Sequence, residues 1–207
     1  SLHNCFLKRN GQSLHDAEVF DITHGEGVFD VFSRKGKFQA PCLVLAAGLG
    51  NQKLAPLIGL KQPVRPQKGQ ILVTQKIDKL IDVPMTLLRQ TAEGSIMIGD
   101  SKEEVGFDIS SSIDIMAQIA DRARRTLPVL EKQQIIRSWA ALRVMSPDGF
   151  PMYDQSESCP GGFAITCHSG VTLAAAHCFD MAADIEAGNF GVGLQAFTER
   201  RFDVSAH

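Results

Sequence analysis

Hydrophobic positions fall first into three short extended runs, Ala17–Thr23, Val28–Ser33 and Phe38–Ala40, separated by Gly25-Glu26-Gly27 and Lys35-Gly36. Runs of this length between glycine-bearing turns predict an antiparallel meander. The pattern changes at Cys42-Leu43-Val44-Leu45-Ala46-Ala47-Gly48, which is apolar throughout and ends in glycine. A run with no polar side predicts a strand covered on both faces in a parallel sheet, where the chain passes into a layered core. Extended segments recur over Val64–Gln75 and Leu87–Ile98, the latter turning at Ala92-Glu93-Gly94. They predict a mostly antiparallel middle sheet with a hairpin.

Ser110–Leu127 changes period. Ile113, Met116, Ala117, Ala120, Ala123 and Leu127 follow helical spacing, serines offer an N-cap, and Pro128 forbids continuation. The helix is expected to pack one face on the middle sheet. Ile135–Val144 reads as another extended run and Gly162–Thr166 as a short buried strand. An alanine-rich helix follows from about Val171 to Glu186, with Gly188 as its stop. Strand, small polar-glycine loop and alanine-rich helix, in that order, let a backbone approach a ligand closely. No internal repeat appears, so no solenoid is proposed.

With 207 residues, 44% hydrophobic and 21% charged, the chain can bury a sizeable core as one large domain or two interlocked ones. No apolar run approaches the roughly 20 residues of a membrane helix. A formal net charge of -2 gives no sequence-wide attraction to nucleic acid, and Arg122, Arg124 and Arg125 read as a solvated helix face. Five cysteines without a C-x-x-C pair argue against a disulfide framework or a zinc site. A reducing compartment and a cytoplasmic location are the expectation, since no charged n-region with an apolar h-region opens the sequence.

The candidate chemistry centres on Arg143, set between an apolar run and the Pro147-Asp148-Gly149 turn. Its planar fork of donors matches a small carboxylate bidentately. The alternative is a structural ion pair with some buried carboxylate such as Asp148 or Asp154. Arg89 carries the same ambiguity, and Tyr153, the single tyrosine, is either a satisfied core phenol or a pocket hydroxyl. Cys167-His168-Ser169-Gly170-Val171-Thr172 lies at the strand-to-helix junction, where unpaired N–H groups favour electron-rich atoms. The plainer reading is a helix capped by Ser169 or Thr172. A Cys-His or Ser-His hydrolase is a weak third, because neighbours on an extended chain point to opposite sides. Gly48-Leu49-Gly50-Asn51 resembles the start of a nucleotide loop but lacks the full G-x-G-x-x-G spacing and the acidic residue beyond it.

Ordered segments tie these pieces together. They are Leu43–Gly48 followed by Leu54–Leu60, Pro63–Gln70, Arg89-Gln90-Thr91 through Ile98–Ser101, Glu104–Asp108, and Trp139–Asp154 with Phe163–Gly188. The set, spanning essentially the whole chain, resembles the flavoprotein family of D-amino-acid oxidase, glycine oxidase, sarcosine oxidase and the flavin subunits of opine oxidase and hydrogen cyanide synthase. Arg89-Gln90-Thr91 and Cys167–Thr172 look closest to the last two.

The resemblance implies an α/β (mixed α+β) fold. A partial FAD-binding, Rossmann-like layer with its meander would occupy 1–62 and 145–207, and an antiparallel substrate-binding sheet flanked by helices 63–144. It further implies that Arg143 binds the substrate carboxylate. Ala46, Ala47, Gly48, His168, Ser169, Gly170, Val171 and Thr172 would lie against FAD. The implied activity is oxidation of the C–N bond of a small amino acid or opine by hydride transfer to flavin. Family members open with a strand, a G-x-G-x-x-G turn and a helix for the pyrophosphate; these 207 residues contain none, so the expectation is the C-terminal part of a longer flavoprotein. An alternative expectation is a subunit-like module that docks a partner through an exposed sheet edge and the Gly48 loop, as a homo- or hetero-oligomer.

Overall fold

The computed structural model describes residues 2–203. Two compact units emerge, one formed by Ser1–Pro63 with Gly149–His207 and the other by Val64–Asp148. In the first, α1 (Leu2–Lys8) precedes the meander β1 (Val19–Gly25), β2 (Val28–Ser33) and β3 (Gly36–Ala40), in sheet order β1-β2-β3. Its first turn has two central residues, Glu26 and Gly27, both at positive φ (52° and 76°). That is the primed geometry that suits the twist of a two-residue hairpin, and glycine takes it without strain. Phe29 and Ile22 from this meander join Leu45, Ala55, Ile58 and Ala164 in one core.

A second sheet in the same unit has the order β4-β10-β9, built from β4 (Leu43–Leu45), β9 (Met152–Gln155) and β10 (Gly162–Thr166). β10 runs parallel to β4 and antiparallel to β9. The expectation of a strand covered on both faces fits β10, whose Phe163 and Ala164 are fully buried, and not β4. β4 is a three-residue edge whose Val44 is exposed. The apolar run continues into a loop whose Ala46 and Ala47 are exposed. α2 (Asn51–Leu54) leaves that loop.

The second unit is a four-stranded antiparallel sheet, order β6-β7-β5-β8, from β5 (Arg65–Lys76), β6 (Leu88–Gln90), β7 (Ser95–Ile98) and β8 (Ile135–Met145). The long ladder pairs Arg65 with Met145 through Gln67 with Arg143 to Ile71 with Trp139. On one face Leu72, Leu88, Ile96 and Ile98 pack with Ile119 and Ala123 of α3 (Ile113–Thr126) and with Leu130. The inward stripe of α3 is Ile115, Met116, Ile119, Ala120 and Ala123, continued by Leu127. Ile113 and Ala117, expected inside, face solvent, since two residues along a helix turn a side chain about 200° away. Ser112 does sit at the N-cap, but without a side-chain capping bond.

The other face follows from register, because directly opposed residues share a side. It carries Gln67, Gly69, Ile71, Trp139, Ala141 and Arg143. Back in the first unit, the alanine-rich helix runs as α4 (Ala174–Ala176), a π-helical turn His177–Met181 and α5 (Ala182–Glu186). It starts at Ala174, not Val171. Leu173 N–H bonds to Ser169 O and Ala174 N–H to Val171 O, so residues 171–173 are spent on turns. Leu173 holds the N-cap position with no side-chain bond, and neither Ser169 nor Thr172 caps. Among the described residues no helix is long and apolar enough to cross a membrane.

Candidate functional site

Because β4 and β10 are parallel neighbours, their C-terminal ends emerge side by side. Loops at that end of adjacent parallel strands are where open α/β sheets take ligands. One leads into Ala46, Ala47 and Gly48, the other into His168–Thr172. Asn51, fully buried, joins them. Its Oδ1 accepts from Ala47 N–H (3.0 Å), and its Nδ2 donates to Leu45 O (3.0 Å), Ile165 O (3.2 Å) and Thr166 Oγ1 (2.7 Å). The short 3-10 turn Gly48–Gly50 delivers it there. In the sequence Asn51 reads only as the tail of a glycine loop. The sequence offers no clear signal for its role, since Gln52 and Lys53 follow it directly.

In the second loop His168 and Ser169 do meet, with Nδ1 3.2 Å from Oγ. The expectation that neighbours point apart fails because this stretch bends instead of running extended. Burial pushes the Cys167 thiol up, away from the thiolate that a nucleophile needs. Among the described residues, the backbone N–H groups of Ser169, Gly170, Val171 and Thr172 make no hydrogen bond within the chain. They form a set of free donors in the loop that follows β10, the parallel neighbour of the strand that leads into Ala46, Ala47 and Gly48.

Tyr153 is buried, its hydroxyl 2.8 Å from His177 Nε2, and burial pushes the phenol up to about 12. Asp154 is buried beside it in sequence. Its Oδ2 accepts from Gln62 Nε2 (2.6 Å) and its Oδ1 from Glu199 N–H (3.0 Å), and burial pushes the carboxyl up to about 6. Asp154 therefore serves the first unit's own packing.

Arg143 belongs to the second unit. Its Nη2 lies 2.6 Å from Asp100 Oδ2 and its Nη1 donates to Ser101 O (3.0 Å). Neither Asp148 nor Asp154 fills that place. Beneath the guanidinium lies Gly69, where a β-carbon would overlap the arginine's terminal nitrogens. Nothing in the sequence pattern signals this close approach. Arg89, exposed on the same face three strands across, donates to Met97 Sδ (3.0 Å).

The opposite face explains how Asp100 and Ser101 are held. Lys68 Nζ donates to Asp108 Oδ2 (2.8 Å) and Ser110 O (3.1 Å) and lies 3.3 Å from Glu103 Oε2. Gln70 bonds Ser101 Oγ through its backbone N–H (2.9 Å), Glu103 through its amide (3.0 Å) and Ser112 N–H through Oε1 (3.0 Å). The Lys68 hydrogen bond pulls Asp108 down to about 2. For Glu103, burial acts upward, but bonds from Ser101, Gln70 and Lys68 outweigh it and the net shift is down. The polar strand positions Lys68 and Gln70 thus pin segment 99–112.

The profile of FAD dependent oxidoreductases matches residues 1–183. The chain belongs to the FAD-dependent oxidoreductase family. It is 47% identical to an opine oxidase subunit of Agrobacterium tumefaciens (strain Ach5) over 92% of its own length and 49% of the relative's. It is equally similar, at 47%, to the corresponding opine oxidase subunit of Rhizobium meliloti, over 99% of this chain and 55% of that one. The chain thus spans about half the length of the curated relatives it matches. Its fold is that of L-proline dehydrogenase from P. horikoshii, with a TM-score of 0.84 at 21% identity, covering 95% of this chain and 56% of that one. Relatives of this family are FAD flavoproteins.

Proposed function

We propose that this chain supplies the substrate-holding part and one side of the flavin contact of an amine-oxidising flavoenzyme. Its substrate would be a small amino acid or opine, oxidised at the C–N bond. The observation that carries this reading is the Arg143 guanidinium on the open face of the β5–β8 sheet, partly exposed and laid flat over Gly69. Residues 63–144 are read as the substrate-binding domain, and 1–62 with 145–207 as part of the FAD-binding domain.

Arg143 binds the carboxylate by two parallel N–H bonds, which fixes the orientation of the α-carbon and its hydrogen. The chemistry that FAD would supply when bound is acceptance of the hydride. Ala46, Ala47 and Gly48 present a surface without bulk to the ring, and the free N–H groups of 169–172, with His168, stabilise negative charge placed against them. Asn51 keeps both loops in place. The described residues include no turn for the pyrophosphate, so they explain ring contact alone.

The test is reconstitution with FAD followed by anaerobic addition of an amino acid or opine. Oxidised-flavin absorbance is expected to disappear, more slowly in Arg143→Lys at equal flavin content. Flavin that binds and stays oxidised with every amine would refute the reading. A second reading, a subunit-like module, is favoured by the relatives' designation as oxidase subunits and by the exposed edge β4. Sedimentation distinguishes them: a monomer that takes up flavin excludes the module reading.

A further inference from the structure

Arg143, read above as a carboxylate anchor, already faces a carboxylate. Asp100 Oδ2 sits 2.6 Å from Nη2, and Ser101 O occupies a proton of Nη1. Five donors on a guanidinium leave room for a second partner, so the pair is a half-filled arginine, not a closed one. Both side chains reach solvent on the open face, with 21% and 38% of their surfaces exposed. The backbone that carries Asp100 is held: its carbonyl accepts from the Arg122 guanidinium, and the next residue is tied to Gln70 N–H through Ser101 Oγ.

A ligand carboxylate arriving at Arg143 therefore comes up against an anion already paired with it. Like charges set side by side at an interface are strongly disfavoured, and a cation carried by the ligand relieves the conflict. In an α-amino acid or a secondary-amine acid that cation sits two bonds from the carboxylate carbon. We propose that Asp100 is a specificity-determining residue that selects zwitterions: Arg143 takes the carboxylate, Asp100 takes the adjacent ammonium, and plain carboxylic acids are rejected. This rests on the reading of Arg143 as the anchor. It assigns a residue of this chain to the nitrogen that such substrates carry next to the carboxylate-bearing carbon.

Trp139 is the single tryptophan, four residues before Arg143 on the same strand and face, which makes its fluorescence a reporter of this surface. The experiment titrates the 207-residue chain with alanine and with propionate, the same skeleton without the amine. Wild type is expected to bind alanine at least about tenfold tighter than propionate. In Asp100→Asn that ratio falls to within about threefold, through tighter propionate and weaker alanine. Asp100→Ser gives the same comparison should the asparagine variant fail to fold. A ratio unchanged by either substitution overturns the role of Asp100 while leaving Arg143 as the anchor. If neither ligand registers in wild type or variants, the anchor reading falls, and this proposal with it.

Discussion

Asn51→Ala removes the side chain that couples the two loops. Its amide gives up two donor protons, shared among Leu45 O, Ile165 O and Thr166 Oγ1, and one acceptor serving Ala47 N–H. At roughly 0.5–1.5 kcal/mol for each of three hydrogen-bond equivalents, the loss comes to about 2–4 kcal/mol in a fully buried position. Asn51→Asp keeps the acceptor but turns an anion toward three oxygens, so the nearly isosteric change should cost more than the truncation. Urea unfolding with a common m-value reads both, and hydrogen exchange at Ala47 N–H reads the local release. A loss below about 0.5 kcal/mol for alanine, or an aspartate variant more stable than the alanine one, would refute the clamp.

Gly69→Ala should push the Arg143 guanidinium off the sheet, weakening alanine binding about tenfold by Trp139 fluorescence while the urea midpoint moves little; unchanged affinity would show that the arginine tolerates the β-carbon. Asp154 titrates near 6 when folded against an ordinary 3.8, so the native state holds its proton longer than the unfolded chain. Stability therefore falls as pH rises from about 4 to about 6 and then levels, a drop of about 3 kcal/mol that Asp154→Asn should abolish, checked by urea midpoints across that range. Asp108 has the opposite sign: held down to about 2 by Lys68, it contributes stability above about pH 4 that is lost on acidification toward 2, a loss absent in Asp108→Asn. Phe163→Ala, emptying the fully buried centre of β10, should cost about 3–5 kcal/mol in the same unfolding assay.

What the chain discloses by itself depends on how far apart the interacting residues lie. The meander is legible because each turn carries its own glycine within two or three residues, and β6 and β7 because Ala92-Glu93-Gly94 punctuates them. The inward stripe of α3 is not, since Ile113 and Ile115 are equally apolar and only the sheet decides which one it covers. Lys68 and Gln70 violate the apolar-inward pattern for the same reason. Their burial is compensated by Glu103, Asp108 and Ser112, more than thirty residues further on. Arg143 is visible as a residue in search of an anion, but the carboxylates that the sequence offers nearby, Asp148 and Asp154, are not its partner. Asp100 lies 43 positions away and becomes a neighbour only through the β5–β8 ladder and the segment pinned beneath it.

The most direct test of Arg143 as the carboxylate anchor is the affinity of Arg143→Lys for alanine, followed through Trp139. Lysine keeps the charge and loses the fork, so binding is expected to weaken by about 1–3 kcal/mol, roughly five- to 150-fold, with the urea midpoint nearly unchanged. Equal affinity in the two proteins would contradict that role and remove Arg143 from the site.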